Sequence, residues 1–202
     1  MPFITLEGID GSGKSTLSKS LQERFQELKV PFIAVREPGG TSIGERIREF
    51  LLDPNVRLSP LDEVYLYATS RAALVREVIL PMIKSRIIVS ERYLDSSLAY
   101  QGYGKGVPLK VIYEVNRPAV MNIFPDLTIL LDADPNSCLR RLEERQKDRI
   151  ELQGILLQEN VRRGYLKLAH LFKERYIVID ATLPPEEIAE KALEKIRRLI
   201  KW

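Results

Sequence analysis

The nine residues GIDGSGKST, 8–16, carry the chemistry of a phosphate cradle. Gly8, Gly13, Lys14 and Ser15 fit the pattern G-x-x-x-x-G-K-[ST], with Ile9, Asp10, Gly11 and Ser12 filling the loop. Glycines permit a tight turn whose N–H groups converge on phosphate oxygens. A helix starting at the lysine adds the positive end of its dipole. In that setting Lys14 reaches the outer phosphates of a nucleoside triphosphate, Ser15 holds magnesium, and Thr16 lines or caps the same turn. The motif leaves open whether the terminal phosphoryl group goes to water, drives a motion, or passes to a second molecule.

Two further stretches suit an acceptor. Arg36 opens REPGG, 36–40, and its planar fork can pair with a phosphate, although an arginine there equally makes a surface ion pair. In SERYLDSSLAYQG, 90–102, Glu91 and Arg92 fall where a third strand ends, close to the cradle. Ser97 and Gln101 are four residues apart, so on a helix they share a face that can read the edge of a planar base. Tyr67 and Arg71 repeat that spacing in YLYATSR and offer a ring to stack and a guanidinium to donate. Tyr67 taken alone also suits an apolar core. Together these groups point to two phosphate-bearing ligands facing each other, their repulsion suppressed by magnesium and arginines. A last stretch, RRLEERQKDRIE, 140–151, crowds Arg140, Arg141, Arg145, Lys147 and Arg149 among acids. It reads either as a solvated helix face or as a flap that closes over the transferring phosphates and excludes water.

The elements that must position these residues alternate along the chain. Continuously apolar runs at 3–7, 32–36, 86–90, 127–132 and 176–180 predict strands covered on both faces. Helical patterns separate them, at 15–29, 42–52, 60–84, 92–102, 108–120, 135–146, 152–174 and 185–200. This alternation predicts an α/β fold, a five-stranded parallel sheet with helices on both faces. The 202 residues suit a single domain, 1–202, with a lid at about 140–152. Thirty-one basic and 28 acidic residues leave a net charge of +3, which fits small anionic ligands and does not require nucleic acid. One cysteine, Cys138, excludes an internal disulfide and reads as a buried apolar residue; the single histidine, His170, is assigned no role. MPFITLEG enters a strand directly, without the pattern of a signal peptide, and no run of about 18 apolar residues predicts a membrane span. A cytoplasmic enzyme is the expectation.

In their order, EGIDGSGKST, REPGGT, ERYLDSSLAYQGYGKG, PDLTILLD and DRIE resemble the bacterial-type thymidylate kinase family of P-loop nucleoside monophosphate kinases, over nearly the whole chain. The resemblance implies transfer of the γ-phosphoryl group of ATP to dTMP with magnesium, and a homodimer. It implies ATP binding by residues 8–16 with Arg141 and Arg145. It implies that Asp10 contacts the sugar 3′-hydroxyl of dTMP, and that Arg36 and Arg92 hold its phosphate. Tyr67 would stack on thymine, Arg71 would read O4, and Ser97 and Gln101 would lie near the base edge. Tyr100 would disfavour a 2′-hydroxyl. Lys14, Arg92, Arg149 and Glu91 would be catalytic, with Ser15 and Glu91 at the metal. Two positions depart from the family pattern: Glu91 stands where Asp is common, and Gly11 where one branch carries a catalytic arginine. A GTPase would require a base-reading N-K-x-D, which does not follow the loop. A dUMP kinase and an ATP-dependent binding or switch protein are the alternatives that the same cradle allows.

Overall fold

Five apolar runs become strands because a strand covered on both faces has no solvent side to alternate with. In the computed structural model, which describes residues 1–142 and 148–200, they are β1 (Phe3–Glu7), β2 (Phe32–Arg36), β3 (Ile87–Glu91), β4 (Leu127–Asp132) and β5 (Tyr176–Asp180). They form one parallel sheet in the order β2-β3-β1-β4-β5. β1 is buried throughout, β3 and β4 are buried up to their last residue, and the edge strands β2 and β5 keep exposed positions. The predicted α/β class holds. β3 runs one residue later than its apolar run suggests, so Glu91 is the last residue of the strand rather than the first beyond it.

The helices are α1 (Lys14–Glu27), α2 (Ser42–Leu52), α3 (Pro60–Leu74), α4 (Leu80–Met82), α5 (Leu94–Ser97), α6 (Leu109–Val120), α7 (Pro135–Leu142), α8 (Gly154–Leu171) and α9 (Pro185–Ile200). Sequence predicts one helix over 60–84; it is α3, a π-helical turn at Val75–Ile79, and α4. A second π-helical segment, Leu98–Gly104, continues α5 and carries Tyr100 and Gln101. Local chemistry fixes the helix starts near the site. Ser59 Oγ accepts from the Asp62 N–H at 3.2 Å while Asp62 accepts from the Ser59 N–H at 2.8 Å, a reciprocal cap for α3 with Pro60 in its first turn. Thr41 caps α2 by accepting from the Gly44 N–H at 3.0 Å.

Register decides what reaches the C-terminal sheet edge. Leu6 of β1 and Arg36 of β2 both pair with Glu91 of β3. The cradle after β1, Arg36 at the end of β2, and Glu91–Arg92 at the end of β3 therefore meet at one edge, the crevice where open parallel sheets bind ligands. Ile4, Ile88 and Ile129, all fully buried, lie on the three central strands below it. Truncating such a residue loses its transfer free energy and leaves a cavity. Ile88→Ala is expected to cost about 2–5 kcal/mol in denaturant unfolding; a loss below about 1 kcal/mol would mean that the sheet centre can collapse around the gap.

Candidate active site

Beyond Glu7 the chain turns through residues 8–13 into α1. Close packing requires two of the glycines. A Cβ on Gly8 would lie 2.7 Å from the Leu131 carbonyl, and one on Gly11, where φ is +78°, would lie 2.8 Å from the Cys138 carbonyl. Position 11 is thus closed to an arginine in this chain. Lys14 is buried and donates to the carbonyls of Gly8 at 3.1 Å and Ile9 at 2.8 Å. Burial, and then the charge of Arg92, push its ammonium down to about 7 against the pull of Asp10, Glu7 and Glu91. Ser15 Oγ donates to Glu91 Oε2 at 2.7 Å. A hydroxyl and a carboxylate placed together are hard oxygen donors of the kind magnesium takes alongside phosphate oxygens and water. No group of three or more His, Cys, Asp or Glu gathers to hold a metal among the described residues, so a magnesium ion here would draw its other ligands from substrate and solvent. The pair fits that ion.

Arg92 ties the cradle to the acceptor side. Its φ of +69° is left-handed, an uncommon conformation for an arginine. One end of the guanidinium donates to the Gly8 carbonyl at 3.1 Å, Ser96 Oγ at 3.2 Å and Tyr165 Oη at 3.3 Å. The other donates to Tyr100 Oη at 3.1 Å and pairs with Asp10. Asp10 also accepts from Tyr100 at 2.9 Å and Gln158 Nε2 at 3.3 Å. Burial pushes the Asp10 carboxyl up, but Arg92, Lys14 and these hydrogen bonds outweigh it and hold it below its ordinary value. Beneath them Glu7 is fully buried and accepts from Ser96, Tyr165 and the Tyr93 N–H. Burial and the nearby Asp95 push Glu7 up to about 7, against Ser96, Arg92 and Tyr165.

Two cavities meet at this pair. One, of about 700 Å³, lies over the loop and is lined by residues 10–17, Arg36, Glu91, Arg92 and Arg141, and at its far end by Ala181, Leu183, Pro185 and Ile188. The other, of about 90 Å³, is lined by Pro38, Leu52, Tyr67, Ser97, Tyr100 and Gln101. Asp10, Glu37, Arg48, Arg92 and Asp148 belong to both. Arg36 is exposed and paired with Glu45 at 2.8 Å. Arg141 donates to the Gly11 carbonyl at 3.3 Å.

Two predicted site residues stand behind the cavity walls. Arg71 is 1% exposed, with its guanidinium on Glu37, Ser97 and Asn116. Glu37 and Ser97 line the smaller cavity in front of it. Arg149 is buried, donates to the Leu51 carbonyl at 2.8 Å and Glu63 Oε1 at 2.7 Å, and lines neither cavity. Arg145 lies outside the described residues, as does the central part of the predicted lid.

Sequence reasoning missed Arg48, Gln158, Glu7, Glu63 and the apolar end of the larger cavity. Glu7, a charge closing the apolar run FITLE, was the one legible signal; the others come together only through tertiary packing.

A phosphate loop facing arginines at the C-terminal edge of a parallel sheet is the arrangement of a P-loop nucleotide kinase, in which donor and acceptor meet over one cradle. The family model described as thymidylate kinase matches residues 6–192. The chain is 39% identical over 199 residues to a thymidylate kinase from Thermoanaerobacter sp. (strain X514), covering 98% of each chain. It is 46% identical over 184 residues to one from Pelotomaculum thermopropionicum, covering 89% of this chain and 85% of the relative. A crystal structure of thymidylate kinase from Ehrlichia chaffeensis superposes with a TM-score of 0.75 at 28% identity, over 96% of this chain and 98% of the other. The chain belongs to the thymidylate kinase family.

The depressed Lys14 gives a proton signature. Burial and Arg92 push its ammonium down to about 7, far below the ordinary 10.5. A polyphosphate beside it restores the charge, so binding above that value takes up a proton. At about pH 8, calorimetry of ATP binding in buffers of different ionisation enthalpy is expected to register uptake of up to about one proton per ATP. Heats that do not depend on the buffer contradict this electrostatic picture.

Proposed function

We propose that the chain transfers the γ-phosphoryl group of ATP to dTMP, forming ADP and dTDP. The observation that carries this reading is the meeting of the two cavities at Asp10 and Arg92: a large polar one over a triphosphate loop, and a small one lined by Tyr67, Ser97 and Gln101, suited to a planar base.

In this reading the loop N–H groups and Lys14 hold the ATP phosphates, and Leu183, Pro185 and Ile188 offer an apolar shelf to its base beside Arg141. Arg36, Arg48 and Arg92 hold the dTMP phosphate. Asp10 and Tyr100 face the sugar, with Gln158 beside them. Its Oε1 is buried without a partner among the described residues, an acceptor that a sugar hydroxyl could satisfy. Tyr67 stacks on the base. Arg71 reaches O4 only from behind Glu37 and Ser97, so it acts directly if that wall shifts and otherwise through Ser97. Magnesium, held by Ser15 and Glu91, neutralises phosphate charge when bound. The acceptor phosphate is largely ionised near neutral pH, so no protein nucleophile or strong base is needed. Lys14 and Arg92 stabilise charge on the transferring group. Arg149 is proposed to reach that group, which requires its bonds to Leu51 and Glu63 to break.

Among the described residues no helix is long and apolar enough to cross a membrane. A cytoplasmic site of action and a homodimer remain part of the proposal. Exposed Phe50, Tyr65 and Tyr113, on α3 and on the helices α2 and α6 that pack against it, offer apolar surface that a second copy would cover.

The test is a panel of dTMP, dUMP, dCMP, dGMP, AMP, CMP and thymidine with ATP and magnesium, with product identification. dTMP is expected to be the best acceptor, with dUMP slower by roughly 10–200-fold for the missing methyl group. Removing a largely buried guanidinium that holds a charged partner costs about 2–5 kcal/mol, so Arg92→Ala is expected to lower kcat/KM for dTMP at least about 30-fold. A different preferred acceptor contradicts the assignment of the base pocket; no phosphorylated product, with ATP binding intact, contradicts the reaction.

A further inference from the structure

Gln101 sits in the wall of the base pocket, and its amide can face that pocket in either of two ways. With Oε1 forward it accepts a hydrogen bond; with Nε2 forward it donates one. The two faces select different pyrimidines, because N3 of thymine or uracil carries a proton and N3 of cytosine does not. What decides the orientation lies behind the wall. Glu63 on α3, 1% exposed, accepts from Gln101 Nε2 at 2.9 Å. The same carboxylate accepts from Lys105 Nζ on both oxygens, at 2.6 and 2.7 Å, and from Arg149 Nη1 at 2.7 Å. The Gln101 side chain makes no other hydrogen bond among the described residues, so its Oε1 is left to the pocket.

We propose that Glu63, a residue that lines neither cavity, is the positioning residue that fixes the Gln101 amide with its acceptor toward the base, and so sets the preference for a pyrimidine protonated at N3. The inference rests on the base-pocket reading above. Ser97 completes the pattern. Its Oγ accepts from both terminal nitrogens of Arg71 at 3.3 Å. With its lone pairs so engaged, its own O–H is free to donate toward the pocket. A donor and an acceptor held side by side complement a carbonyl next to an N–H, and oppose an amino group next to a bare ring nitrogen. Each polarity is imposed by a buried ion, Arg71 behind Ser97 and Glu63 behind Gln101.

Glu63→Gln separates this idea from a general structural role. The new amide must turn its oxygen to the side where Lys105 and Arg149 converge, which leaves its –NH2 facing Gln101. Gln101 then turns to offer Oε1 backward and Nε2 to the base. The expected result is a fall of about tenfold or more in the ratio of kcat/KM for dTMP to that for dCMP, carried mainly by KM, because mispaired polar groups are what such a site rejects. Changes in packing or in Arg149 affect both acceptors alike and cancel in the ratio. In a Gln101→Leu background, Glu63→Gln is expected to leave the ratio unchanged, since the group it orients is gone. If the lost buried charge prevents folding, the double variant Glu63→Gln, Lys105→Met removes one cation together with the anion and carries the same test. A folded variant that keeps the wild-type ratio within about twofold overturns the role of Glu63. A wild type that does not prefer dTMP to dCMP overturns instead the base-pocket reading on which it rests.

Discussion

Two phosphate-bearing ligands repel each other, and a phosphate-transfer fold must bring them together. The pair of Arg92 and Asp10 is the joint on which this depends. Arg92 leaves the end of β3 in a left-handed conformation and reaches back over the cradle, where Asp10 and the Gly8 carbonyl receive it. One guanidinium thus borders both cavities. Strand register makes the joint possible by setting Leu6, Arg36 and Glu91 at one level of the sheet. A slip between β1 and β3 would carry Arg92 away from the loop it closes.

A second theme is the carboxylate behind the functional group. Glu7 lies under the hydroxyls of Ser96 and Tyr165 that touch Arg92; Glu37 holds Arg71; Glu63 holds Gln101. All three are buried. Buried ions contribute little net stability, since desolvation offsets much of the attraction. Their return is positional: each fixes the rotamer of the side chains it bonds. Glu7 shows the cost, its pKa lifted to about 7 by burial.

Contiguous features were legible in the sequence. The cradle is a local motif, and the sheet strands are continuous apolar runs. Ser97 and Gln101 do line one cavity, although a π-helical segment rather than an ordinary helix carries Gln101. What stayed hidden depends on approach in three dimensions. Arg48 lies in a helix with no motif around it, and Gln158 is 148 residues from the aspartate it touches. Burial also hid the setting of Arg71 and Arg149, because spacing identifies an arginine and says nothing of the carboxylate that waits for it. Strand order, too, is a property of the whole sheet.

The central claim is that donor and acceptor phosphates lie in adjoining sites joined at Asp10 and Arg92. One molecule joining adenosine to thymidine through a chain of phosphates tests it directly. It is expected to bind more tightly than either nucleotide and to compete with both ATP and dTMP. Competition with ATP alone, at an affinity no better than that of ATP, would mean that the two sites do not meet where the structure joins them.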